Sequence, residues 1–393
     1  MSEGVTLGEV CQQIVDCEHK TAPVANPGEA HAFSVGTPSI RSGRLILAAS
    51  KLVNRETFEA WTARAVPQEG DVILTREAPV GEAAYVDGSV RVCLGQRTVL
   101  LRPDPGRVYP RFLHYLLLTP AIQERMRSQA EGSTLPHLNV REIRDLKLDA
   151  LPSLDVQRSI ASTLAALERK ITINEQSVTY CDNLRRLLYD EFVLTRFEDV
   201  SNMPLSSTAD FVNGRAFTKS PTGTGRMVIR IAELNSGPGG STVYNDIDVP
   251  KQHLARPGDV LFAWSGSLTV ARWFREESVI NQHIFKVVPR AAYPTWLIFE
   301  LVSRKLDEFR FIAAGKATTM GHIQRHHLDE PVLVPSDEVV SELDVQLRPL
   351  WDRALAAEQE SLALGRLRDA ILPPLMSGEI RVRDGEKAIE HAT

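Results

Sequence analysis

The chain has 393 residues, 43% of them hydrophobic and 24% charged, with a formal net charge of −5. Such a chain is ordinary globular protein of two or three domains, and its charge by itself argues against a nucleic-acid binder. No apolar run approaches a membrane span, residues 1–10 lack a signal-peptide pattern, and four cysteines (Cys11, Cys17, Cys93, Cys181) are too few for a disulfide scaffold. The expected location is therefore a reducing cytoplasm, with no membrane.

Residues 1 to about 150 read as mixed α/β. Apolar runs at 45–47, 71–74 and 98–101 predict strands separated by Gly, Pro and Asn. After Tyr109-Pro110 the pattern turns helical through Phe112, Tyr115 and Leu116, and Pro120 opens a further helical stretch with Ile122 and Met126. A polar loop, 131–137, follows. Asn139 with Glu142 predicts a capping box. Residues 146–151 are expected to return to strand, with Pro152 closing the domain.

From Ile160 the apolar positions run Ile160, Leu164, Leu167, Ile171, Asn174, Val178, Cys181, Arg185, Leu188, Phe192. This 3-4 spacing predicts one narrow stripe on a long helix, and no Pro or Gly interrupts residues 154–192. Asn174 is expected to fix register as a polar residue in a helix–helix seam. A helix of this length outside a compact core requires a partner.

Residues 200–335 repeat the plan of the first 150. Gly258-Asp259 with Val260-Leu261-Phe262 matches Gly70-Asp71 with Val72-Ile73-Leu74. Gln282 before a strand ending at Pro289 matches Gln96 before one ending at Pro103, and the loop 316–323 matches 133–138. A second stripe then runs Leu343, Leu347, Leu350, Ala354, Ala357, Ser361, Leu364, Arg368, Ile371, Leu375, at a constant offset of 183 (343 − 160). A periodicity kept at one offset, with matching segments upstream of both helices, indicates a duplicated unit. The second helix carries nine acids against four arginines, so the rest of the chain is balanced and its basic clusters can face an anion.

Each half therefore shows Gly-Asp before an apolar run, Gln before a strand, a Thr/His loop, a strand ending in Pro, and a long helix. The first helix opens on Leu151-Pro152-Ser153-Leu154-Asp155-Val156-Gln157, and the chain nears its end with Leu372-Pro373-Pro374-Leu375-Met376-Ser377-Gly378-Glu379. These features resemble the specificity subunit of type I restriction–modification systems over nearly the whole chain. Two departures occur in the helix openings: Ser153 replaces a second Pro, and Val340 replaces Gln in the second copy.

The resemblance implies an α/β (α+β) fold: two similar target-recognition domains separated by two long helices in an antiparallel coiled coil. The divisions it implies are 1–152, first recognition domain; 153–197, first helix; 198–335, second recognition domain; 336–379, second helix; and 380–393, a flexible tail. On this resemblance each domain is expected to read half of a bipartite, asymmetric site on double-stranded DNA, and the helices are expected to space the halves and dock two modification (methyltransferase) subunits, which restriction subunits join. S-adenosylmethionine is expected in the modification subunit, with no cofactor on this chain.

The chain itself shows no Asn-Pro-Pro-aromatic or Asp-Pro-Pro-Tyr run, no phosphate loop and no dinucleotide-binding glycine pattern. It is therefore expected to be non-catalytic. Gly237-Pro238-Gly239-Gly240 reads as a turn. Cys11, Cys17 and His19 match no zinc spacing, His322, His326 and His327 lack supporting carboxylates, and no metal is expected.

Arg grips guanine edges, amides read adenine, and Lys and Thr hold phosphates. The candidate DNA contacts are Arg41, Arg44, Lys51, Arg76, Thr134 and His137 in the first domain. In the second they are Arg215, Lys219, Arg230, Trp264, Lys316, Thr318, Thr319, His322 and Arg325. The helix-pairing residues are Ile160, Leu164, Leu167, Ile171 and Leu188 with Leu343, Leu347, Leu350, Leu364 and Ile371. The alternative function is a coiled-coil adaptor that binds protein and has no DNA specificity.

Overall fold

A computed structural model describes residues 4–130, 136–290, 293–315 and 321–384. The chain divides into two compact units, residues 1–168 with 365–393, and residues 169–364.

In the first unit, strands β1 (Cys11–Asp16), β2 (Val72–Arg76), β3 (Val80–Tyr85) and β4 (Thr98–Pro103) form an antiparallel sheet in the order β1-β4-β2-β3. Ala32–Val35 runs parallel to Val92–Leu94 and antiparallel to Lys51–Val53 beside it. Two helices, Pro110–Leu118 and Pro120–Gln129, pack on β3. Proline is tolerated at a helix's first position and not within it, so Pro120 divides what would otherwise be one helix. The first long helix, α1 (Leu154–Thr195), starts in this unit.

The second unit repeats the sheet with β5 (Ala209–Asn213), β6 (Val260–Ala263), β7 (Thr269–Arg272) and β8 (Ile284–Pro289), in the order β5-β8-β6-β7. Arg226–Ile229 runs parallel to Ser278–Ile280, as in the first copy. One helix, Thr295–Ala314, covers the sheet. Arg304 stands where the first copy has Pro120, so the helix continues unbroken. The second long helix, α2 (Asp337–Ser377), starts 183 residues after α1 (337 − 154), the offset of the two stripes.

Within the second unit α1 and α2 pair antiparallel. Asn174 and Lys170 meet Glu360, and Arg196 meets Glu342, so partner numbers fall as those of α1 rise. Asn174 is fully buried, and its Nδ2 donates to Glu360 Oε2 at 2.8 Å. Eight of the ten pairing residues are buried; Leu188 and Leu350 are half-buried. The helices are not outside a compact core, however. Tyr189, Phe192, Leu343, Leu347 and Trp351 belong to the same apolar cluster as Trp296, Leu301 and Phe309 of the second domain. Residues flanking a 3-4 stripe widen it enough to serve a domain as well as a partner helix.

Two expected strands differ in the structure. Residues 45–47 give only the end of a two-residue strand, Arg44–Leu45, and then a 3-10 turn. Its partner, Ile40–Arg41, is equally short because Ser42 (φ 49°) and Gly43 (φ 81°) reverse the chain at once. Residues 146–151 form no strand. Leu148 N–H reaches the Val5 carbonyl and Leu7 N–H the Leu146 carbonyl, but residue 7 already begins a helix, Leu7–Val10, which limits the pairing. The second copy has a full five-residue partner and forms the ladder Val200–Pro204 with Pro331–Pro335.

Candidate nucleic-acid interface

The strand registers superpose the two sheets residue on residue. Val72 pairs with Leu101 as Val260 pairs with Val287; Asp16 pairs with Val99 as Asn213 pairs with Phe285. Four residues along, Arg76 and Trp264 occupy one corner at the end of the sheet. The backbone there is the same in both copies. Arg76 N–H donates to the Arg97 carbonyl (2.9 Å) and Trp264 N–H to His283 (3.2 Å). Leu138 N–H donates to the Arg76 carbonyl (2.8 Å) and Ile323 N–H to Trp264 (3.1 Å). Glu77 bridges His137, and Ser265 bridges His322.

The side chains differ in kind. In the first corner Arg76 Nη1 donates to both Asp16 oxygens at 2.9 and 2.8 Å, His19 Nε2 lies 3.1 Å from Asp16, and Arg97 pairs with Glu77 at 2.8 Å. In the second, Trp264 Nε1 donates to Asn213 Oδ1 at 2.9 Å, and its ring lies 5.5 Å from His283 and 5.8 Å from Phe285. One frame thus holds opposed charges in one domain and neutral amide and aromatic groups in the other.

Of the candidate contacts, Arg76 and His137 meet at the first corner, and Trp264 and His322 at the second. Arg41 and Arg44 lie opposite one another across the two-residue turn, whose Gly43 carbonyl is 3.0 Å from His114 Nε2. Burial holds His114 below the usual imidazole range. Its Nε2 therefore carries the proton and donates to that carbonyl. Lys51 is exposed at the start of its strand, as are Arg215 and Lys219.

Arg230 and Arg325 are tied into the fold. Arg230 caps the helix Ile231–Ser236 through Glu233 and donates to the Ser241 carbonyl (2.7 Å); Arg325 donates to the Phe211 carbonyl (3.3 Å). Thr134, Lys316, Thr318 and Thr319 lie outside the described residues. Among the described residues no group of three or more His, Cys, Asp or Glu could hold a metal ion, and no helix is long and apolar enough to cross a membrane.

Residues 2–179 match the family of type I restriction modification DNA specificity domains. Over those residues the chain is similar to the type I specificity subunits. It is 20% identical to the type I restriction enzyme MjaIX specificity subunit of Methanocaldococcus jannaschii, over 80% of this chain and 79% of that one. It is 23% identical to the EcoBI specificity subunit of Escherichia coli over 46% of this chain and 39% of that one. The crystal structure of a type I S subunit from M. genitalium shares the fold, with a TM-score of 0.57 at 14% identity, covering 95% of this chain and 96% of that one.

Sequence reasoning missed several residues of these corners. Asp16, Arg97, Asn213 and His283 complete the corners, and the signal was available: Arg97 and His283 each follow the matched Gln. The chain also carries a second apolar row on α1: Ile173, Tyr180, Leu184, Leu187 and Leu194, all exposed. Its 7-4-3-7 spacing is that of a helix-pairing stripe.

Proposed function

We propose that this chain is a type I specificity subunit and reads the two halves of a bipartite, asymmetric site on double-stranded DNA, one half with each recognition domain. The observation that carries this reading is the repeated sheet whose equivalent corners hold different chemistry. One frame with two side-chain sets supplies two readers of unlike preference. The readers are residues 1–152 and 198–335, joined by the helices 153–197 and 336–379, with 380–393 as a tail. The candidate contacts, from Arg41 to Arg325, supply the base and phosphate contacts.

The paired helices space the half-sites and dock two modification subunits, one of them on the exposed row from Ile173 to Leu194. An unpartnered apolar row at heptad spacing fits a partner's helix. S-adenosylmethionine and methyl transfer belong to the modification subunits, and cleavage to restriction subunits. The chain itself is non-catalytic and works in the cytoplasm.

Methylation mapping of DNA modified by this chain together with its modification subunit tests the reading. The expected site has two unlike half-sites at a fixed gap. A continuous palindrome would overturn it, as would selective DNA binding that needs neither recognition domain.

A further inference from the structure

We propose that the corner beside β2 reads a guanine in the half-site of the first domain, through a guanidinium that Asp16 holds in place. The inference rests on the DNA-reading function above and assigns a chemistry to one position of it. Asp16 engages only Nη1 of Arg76. Among the described residues no hydrogen bond occupies Nε or Nη2. Those two nitrogens lie on one edge of the planar group and present parallel donors, the arrangement that matches guanine O6 and N7. The side chain is 17% exposed, and its carboxylate partner 19%, so the arginine is held with little freedom but is not sealed from a ligand.

Charge decides between a base and a phosphate. Asp16 beside Arg76, and Glu77 beside Arg97, offset both cations at this corner. A phosphate carries a full negative charge and is repelled by two neighbouring carboxylates. A guanine edge presents neutral acceptors and is not. Asp16 is therefore a positioning residue, and Arg76 the reader.

The equivalent corner of the second domain is built for a different contact. An indole N–H only donates, so the group facing Trp264 Nε1 is the Asn213 carbonyl oxygen, and the amide NH2 points away from the ring. That corner offers a neutral donor with no clamped cation, and it gives its half-site no equivalent of the Arg76 contact.

The test uses the complete chain with its modification subunit and a DNA library randomised over both half-sites. Wild type is compared with Arg76→Gln, Arg76→Lys, Asp16→Asn and Asn213→Ala. Arg76→Gln and Arg76→Lys should each reduce preference for guanine at one position of one half-site by about tenfold to a hundredfold. Asp16→Asn should relax that same position by less. The other half-site should be unchanged in all three, and Asn213→Ala should alter only the other half-site.

Arg76→Lys keeps a cation against Asp16, so it controls for folding. If it retained full guanine preference, the two-donor edge would not be the reader. A uniform loss of affinity with every base preference intact would make Arg76 structural and overturn the proposal. If wild type itself showed no sequence preference, the DNA-reading function would fail, an outcome distinct from these.

Discussion

The two junctions between a recognition domain and a long helix hold the same three positions with opposite chemistry. Five residues past the proline that opens the covering helix, the first unit has Tyr115 and the second Phe299. Tyr115 Oη donates to Glu168 of α1 at 2.6 Å, and Arg368 of α2 lies 3.9 Å from that carboxylate. In the second unit Phe299 packs edge-on against Trp351 of α2, the 183-residue equivalent of Glu168, at 5.3 Å, and the guanidinium of Arg185 of α1, the equivalent of Arg368, lies 5.1 Å and 5.9 Å from the two rings.

Replacing a carboxylate by a tryptophan leaves Arg185 without its counterpart anion, and the second unit supplies one from its domain. Glu300 pairs with Arg185, and both side chains are 2% exposed. From there charges alternate in both directions. Asp190 meets Arg304, which meets Glu300; Arg185 meets Asp182, which meets Arg272, which meets Glu358. At the first junction Glu168 and Arg368 keep 15% and 19% exposure, and that access to water softens the loss of a partner. A buried chain of charges gets no such relief, because each ion left alone is desolvated without compensation.

The largest test of this contrast is truncation of the two carboxylates. Glu300→Ala should cost about 3–5 kcal/mol, because it leaves the buried Arg185 with only Asp182, 3.4 Å away, and takes from Arg304 one of its two carboxylates. Glu168→Ala, which removes the charge-assisted hydrogen bond from Tyr115 and the longer Arg368 contact at a site with some access to water, should cost about 1.5–3 kcal/mol. Hydrogen exchange of the helices Thr295–Ala314 and Pro110–Leu118 reads the two separately. Equal losses of protection would break the comparison.

A smaller test concerns the start of each long helix. Gln157 is buried; its Oε1 accepts from Tyr109 N–H at 2.7 Å and its Nε2 donates to the Pro152 carbonyl at 2.8 Å. In the second unit Val340 stands there, inside the apolar cluster, and Tyr293 N–H donates instead to Arg290 O at 2.9 Å. Gln157→Val should therefore orphan a donor and cost about 1–3 kcal/mol. Val340→Gln buries an amide with no vacant partner and should cost a similar amount. If Val340→Gln were neutral by denaturant midpoint, the two junctions would be interchangeable.

The smallest effect is a pH dependence confined to the first unit. Burial keeps His114 neutral in the fold, while the unfolded chain binds a proton near pH 6.5. A depressed histidine thus contributes stability that is present above that pH and lost as pH falls below it. His114→Gln, which keeps a donor for Gly43, should flatten the decline in first-unit exchange protection between pH 7 and 5. An unchanged slope would exclude His114 as its source.

The sequence by itself determined the duplication. Periodicity and a constant offset are properties of the chain, and they carried over to α1 and α2 starting 183 residues apart (337 − 154). The matched Gly-Asp and Gln positions likewise located β2, β4, β6 and β8, because a buried strand needs an apolar run and its turns need special residues. Short pairings were less legible. Residues 45–47 and 146–151 have strand composition, but a strand exists only if a partner of sufficient length lies beside it.

Only the tertiary structure decided which charged side chains are spoken for. Arg76, Arg230 and Arg325 look alike in a list of basic loop residues. Asp16 clamps one edge of the first, Glu233 absorbs the second into a helix cap, and the Phe211 carbonyl engages the third. Those partners lie 60, 3 and 114 residues away, and two of the three distances exceed any local pattern. A side chain's type is written in the sequence. Its remaining hydrogen-bonding capacity depends on neighbours that folding brings from elsewhere in the chain.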